Sequence, residues 1–221
     1  MSDKTSGQPG RPRRAAPPAA QSESRPTAQP ESRRLTDPLE LRALAHPVRI
    51  RLLAAVGLRG TLTATEAVEF VGGSPASCAY HLRTLAKYGF IEDAGADNNR
   101  ERPWRLTQAG FSWSEHAAEP EQRAVGRALG DVVHGEWLAN IRRYRANADL
   151  YPVGIQEISG GSEIVLYATP AEVAGVQRQI QALLAPFKQR VTDPAARPAA
   201  HTPIEMIIFT HPATPPPATG S

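Results

Sequence analysis

The sequence predicts an α+β fold, mostly helical, on three observations. Paired helix-start signals recur at Asp37-Pro38, Thr63 with Glu66, Ser74-Pro75 and Thr169 with Glu172. Each places a side-chain acceptor where it satisfies the first amides of a helix, next to a helical Pro or a reciprocal Glu. Next, FIEDAGADNNRERPWRLT sets apolar ends around turn chemistry, the pattern of a β-hairpin. Finally, two β-prone runs, GSEIVLYA and PIEMIIFT, flank the last capped helix.

The chain has 221 residues, 41% of them hydrophobic, enough for one folded domain and a smaller second one. It has no apolar run of membrane-spanning length and no signal peptide at its start, so no membrane partner and a cytoplasmic location are expected. Cys78, the single cysteine, excludes an intramolecular disulfide and a cysteine-cluster metal site. Among 25 basic residues 22 are Arg, a bias that weakens the case for any one Arg as a selected phosphate contact. Net charge is +4 over residues 1–34, zero over 35–118 and −1 over 119–221. Any binding of nucleic acid by the folded part must therefore rest on local placement of charge.

Residues 1–34, rich in Pro, Ser, Ala, Gln and Arg, are expected to form a disordered basic tail. Arg11, Arg13 and Arg14 would add non-specific DNA affinity if it is a basic arm, but a solubilising tail without a partner is the preferred reading. Order is expected from Asp37-Pro38, with Glu40 as reciprocal cap and Leu39, Leu41 and Leu44 following. His46-Pro47 opens a second helix with Val48, Leu52, Leu53 and Val56 at helical spacing. His46 is read as structural, and Arg49 and Arg51 as makers of local ion pairs.

The stretch Thr61 to Phe90 reads as a helix-turn-helix. Thr63 and Glu66 start its first helix, and Gly72-Gly73 permits the tight turn. The second helix begins at Ser74-Pro75, buries Cys78, Leu82 and Leu85 on one stripe, and ends at Gly89, with Phe90 folding back over Leu85. On that stripe Cys78 reads as a small buried hydrophobe and not a redox switch. After the helix pair, Pro103 cannot donate to a central ladder, so the returning hairpin strand is expected at an edge. A helix pair followed by a hairpin with Asn98, Asn99, Arg100 and Arg102 at or near its tip has the layout of a winged helix.

The runs LRALAHPVRIRLLAAV and LTATEAVEFVGGSPASCAYHLRTLAKYGFIED, with the hairpin and LTQAG after them, resemble the winged-helix domain of ArsR-type bacterial transcription regulators over about Leu35 to Glu115. The resemblance implies that Ser74 to Lys87 is a recognition helix for a DNA major groove and Asn98 to Arg102 a wing tip at the backbone or minor groove. Metal-sensing members carry a cysteine pair in the first helix of the motif. Thr63 to Val71 has none, so metal sensing there is not expected.

Independently of that resemblance, the start of a helix offers free amides and a positive dipole end to phosphate, which suits Ser74 and Ser77. Tyr80, Arg83, Thr84 and Lys87 stand on the polar side, with Arg83 the best candidate for bidentate donation to guanine. His81 lies beside the buried stripe, and both a DNA contact and a packed side chain are open for it.

Residues 119–150 read as a long amphipathic helix whose stripe includes Leu129, Val133, Trp137, Ile141 and Tyr144, expected at a dimer interface. Residues 151–211 read as a small βαβ domain for dimerisation or effector sensing, with a structural lid as the alternative, and 212–221 as a flexible end. No nucleophile motif, phosphate loop, metal-binding helix or close carboxylate pair appears, so no enzyme activity, cofactor or metal is expected. The expected function is a sequence-specific DNA-binding regulator. Its expected partners are double-stranded DNA and a second copy of the chain, with a small-molecule effector left open. The alternative is a winged-helix module for protein interaction, which the zero net charge of 35–118 favours.

Overall fold

The computed structural model describes residues 33–95 and 101–215. Residues 1–32 of the expected tail and 216–221 of the expected flexible end lie outside them. Arg33 and Arg34, assigned to the tail by composition, form a short strand β1 (Arg33–Arg34). The Arg33 guanidinium holds it in place by donating to the Tyr88 carbonyl at 2.8 Å, pairing with Glu40 and lying 5.1 Å over the Phe90 ring.

Helix α1 (Pro38–Leu44) starts with the Asp37 carboxylate accepting from the Leu39 amide at 2.8 Å. Its expected reciprocal cap does not form, because Glu40 turns to Arg33 instead. Helix α2 (Pro47–Arg59) is capped by His46, whose Nδ1 accepts from the Val48 amide at 3.2 Å. It stops at Gly60, whose φ of 85° suits a residue without a Cβ. A two-residue strand β2 (Thr61–Leu62) follows, too short to leave a periodic signal.

Helix α3 (Ala64–Val71) carries the full capping box: the Glu66 amide donates to Thr63 Oγ1 at 3.3 Å and the Thr63 amide to Glu66 Oε2 at 2.8 Å. Gly72 and Gly73, with φ of 73° and 81°, make the turn into α4 (Pro75–Lys87). This helix ends as a Schellman motif: the Phe90 amide closes on the Leu85 carbonyl at 3.0 Å and the Gly89 amide on Ala86 at 2.9 Å.

Strands β3 (Ile91–Asp93) and β4 (Trp104–Leu106) form an antiparallel hairpin with Ile91 opposite Leu106 and Asp93 opposite Trp104. Its returning strand is not an edge. The sheet order is β2-β4-β3, with β4 in the centre. Pro103 stands one residue before β4, where its missing N–H costs the ladder nothing and its carbonyl accepts from Ala94 at 2.9 Å. Strand β5 (Phe111–Ser112) pairs in parallel with β1.

Helix α5 (Pro120–Ala146) packs its first half on α1 and α2. Leu41, Leu44, Leu52, Val56, Leu62, Leu82, Leu85, Ile91 and Trp104 form one core with Val125, Leu129 and Val133. The dimer assignment of Leu129 and Val133 is therefore corrected. They are 0% and 4% exposed inside their own chain, which leaves no surface for a second one.

Past α5 come a 3-10 turn (Ala148–Leu150), α6 (Val153–Ile158) and α7 (Pro170–Thr192), the last with its capping box of Thr169 and Glu172 complete. The expected βαβ arrangement does not form: residues 161–168 and 203–210 adopt no strand. Their β-prone composition is local, whereas a strand needs a paired neighbour, and this chain places none beside them. The end of α7 is tied to α2 by Arg197, which donates to the Gly57 and Leu58 carbonyls at 2.9 and 3.0 Å. No helix among the described residues is long and apolar enough to cross a membrane.

Candidate nucleic-acid interface

Helix α4 buries Cys78, Leu82 and Leu85 and turns Ser77, Tyr80, Arg83 and Lys87 outward, without an acidic residue anywhere along it. Its N-terminal end is more occupied than the sequence suggests. Ser74 Oγ accepts from the Ser77 amide at 3.3 Å, the Ser74 carbonyl takes the Cys78 amide at 3.0 Å, and Pro75 has no amide. Of the amides in this first turn, that of Ala76 stays free for a phosphate oxygen.

Tyr80 is 60% exposed. Thr84, half-buried, donates its hydroxyl to the Tyr80 carbonyl at 3.0 Å, and Lys87 lies 5.4 Å over the Tyr88 ring. Arg83 is exposed and has no hydrogen bond or ion pair among the described residues, so its guanidinium is free to meet a ligand.

His81 takes the packed role of the two left open for it. It is half-buried with its ring 4.7 Å from that of His46, and its Nδ1 is enclosed without a partner. Burial lowers the pKa of both imidazoles from the ordinary 6.5, and the neighbouring charges act in the same direction: Arg49 and Arg51 on His46, and His46 and Arg49 on His81. Burial likewise pushes the Cys78 thiol up, as befits a core residue whose Sγ lies 3.7 Å from the Gly72 carbonyl.

At the hairpin, Asn98, Asn99 and Arg100 lie outside the described residues. Arg102 is exposed but engaged: its Nε is 2.8 Å from Asp93 and its guanidinium 5.9 Å from the Trp104 ring. Beside it Glu101 accepts from the Thr65 hydroxyl of α3 at 3.1 Å, linking hairpin to helix pair. Together with Ala64, Pro75 and Ala79 these residues and Arg83 line an open groove of roughly 340 Å³. Two expected contacts, Arg83 and Arg102, thus border one depression. Thr65, Ala76 and Glu101 were not legible as site residues, because their positions depend on how the hairpin docks and which amides are already used.

Arg51, read as a maker of local ion pairs, reaches Glu136 of α5 at 3.7 Å, and Arg49 donates to the Arg42 carbonyl at 3.2 Å. No group of three or more His, Cys, Asp or Glu side chains lies together among the described residues in a way that would hold a metal.

A family model described as a helix-turn-helix domain matches residues 44–94, from the end of α1 through β3. Residues 44–94 are therefore similar to helix-turn-helix domains, which suggests a DNA-binding regulator. No curated protein matches the chain.

Proposed function

We propose that the protein is a sequence-specific, DNA-binding transcriptional regulator of the ArsR type, acting as a homodimer in the bacterial cytoplasm. The observation that carries this reading is the coincidence of the helix-turn-helix match over 44–94 with a second helix whose outer side is exposed, free of acids and headed by an unpaired Arg83. Helix α4 enters the major groove. Arg83 reads a guanine edge, Ser77, Tyr80 and Lys87 hold the flanking backbone, and the β3–β4 hairpin serves as the wing. No catalytic step, cofactor or metal is part of this function.

Footprinting of the purified full chain on genomic fragments, repeated across a salt series, tests it. Two protected half-sites about one helical turn (~34 Å) apart are expected, with affinity falling steeply as salt rises. Absence of binding at low salt to the DNA flanking its own gene would overturn the reading and leave the helix pair as a protein-interaction module.

A further inference from the structure

From His134 to Pro215 no side chain is buried, although this part holds 17 of the 21 exposed large hydrophobic side chains among the described residues. Leu138 and Ile141 stand out from the far half of α5, and Val176, Leu183 and Phe187 from α7. So large an apolar surface is rarely left to water. The two β-prone segments add backbone to this need. Residues 160–168 make no hydrogen bond among the described residues, and 203–210 make only the side-chain contacts of Glu205 with Asn140 at 3.2 Å. Phe209 rests against His134, with ring centroids 4.9 Å apart. The second segment thus touches α5 through two side chains while its backbone N–H and C=O groups stay unpaired among the described residues, the groups that a neighbouring strand would take up.

The charges say which chain covers this face. Arg142, Arg143 and Arg145 crowd the end of α5, and the stretch from Ala146 to Gln177 contains Asp149, Glu157, Glu163 and Glu172 without one basic residue. All three Arg are exposed and, although Arg143 donates to the Asn140 side-chain oxygen at 2.6 Å, none forms an ion pair among the described residues. The same holds for Asp149, Glu157 and Glu163. A surface that carries a basic run followed in sequence by an acidic stretch, with neither ion-paired within its own chain, is complementary to itself across a two-fold axis.

We propose that residues 134–215 form a two-fold interface with a second copy of this chain. Arg142, Arg143 and Arg145 of one copy meet the acidic stretch of the other, and the segments 161–168 and 203–210 pair between copies. This rests on the homodimer of the proposed function and names its surface.

Charge exchange tests it without DNA. One full-length variant carries Arg142→Glu, Arg143→Glu and Arg145→Glu, and the other Asp149→Lys, Glu157→Lys and Glu163→Lys. By light scattering the unaltered chain is expected to be a dimer. Each variant alone should self-associate at least about tenfold more weakly, because like charges then face each other, and an equimolar mixture should recover the dimer mass. Hydrogen exchange should slow at 161–168 and 203–210 in the dimer and not in either variant alone.

A monomeric unaltered chain, variants that remain dimeric, or a mixture that stays monomeric would each overturn the proposal. Equal protection of the two segments in monomer and dimer would place their pairing within one chain and refute the exchange between copies. An Arg variant with unchanged mass but lost DNA affinity would assign the three Arg to DNA instead. Failure of footprinting with the mass results as expected would sink the regulator reading alone.

Discussion

Arg83 and His81 stand two positions apart on one helix and have opposite surroundings. Arg83 projects into solvent with its donors unspent, so Arg83→Ala is expected to weaken operator binding by about 1–3 kcal/mol and to relax preference at one base position. Anisotropy titrations on operators varied one base at a time check this, and an equal loss on every sequence would make Arg83 a phosphate contact. His81 faces His46 across the start of α2, with Arg49, Arg51 and the neighbouring Tyr80 around the pair. Because both folded-state pKa values lie below the ordinary 6.5, the unfolded chain takes up these protons first. Stability from this pair is full above about pH 6.5 and declines as pH falls below it toward the folded values. The drop in Tm between pH 7.5 and 5.5 should therefore shrink in a chain with His46→Asn, which keeps a cap acceptor, and His81→Gln. A drop of unchanged size would assign the pH dependence to other groups. The outward place of Arg83 was legible from helical spacing alone. That of His81 was not, because its neighbour comes from another helix.

At the scale of elements, the capping boxes of α3 and α7, the glycine turn and the Schellman end of α4 form where local spacing predicts them, since each is made by residues within one turn of each other. The sheet is different. Central placement of β4 depends on β2, a partner about forty residues away that no period announces. The junction of β5 and α5 is likewise set by close approach: a Cβ at Gly126 would run into the Ser114 carbonyl oxygen, which is backbone and cannot swing aside. Gly126→Ala is thus expected to destabilise the fold by about 1–3 kcal/mol through overpacking. Gly135→Ala, on the same helix with nothing within reach, should be neutral or slightly stabilising through helix propensity. Chemical denaturation of both variants measures the contrast, and equal effects would contradict this account of the junction.

For the whole molecule, α5 belongs to two worlds. Its first half completes the N-terminal core with Val125, Leu129 and Val133, each worth about 1.5–3 kcal/mol when buried, and its second half carries exposed Leu138 and Ile141. A chain ended after Ala146 should therefore keep a cooperative unfolding transition, while one ended after Glu119 should lose it. Circular dichroism melts of the two truncations test the division, and cooperative melting of the shorter chain would refute it. The sequence by itself determined α1 to α5 and α7, the capping boxes of α3 and α7, the order of the helix pair and hairpin, and the acid-free outer side of α4, because these follow from contacts between near neighbours. Only the tertiary structure decided that β4 is central, that His81 packs on His46, that Leu129 and Val133 serve the chain's own core, and that two β-prone segments find no strand partner within their own chain. Each of these depends on which distant surface arrives beside a residue, and a stripe of apolar side chains states that it must be covered without stating by what.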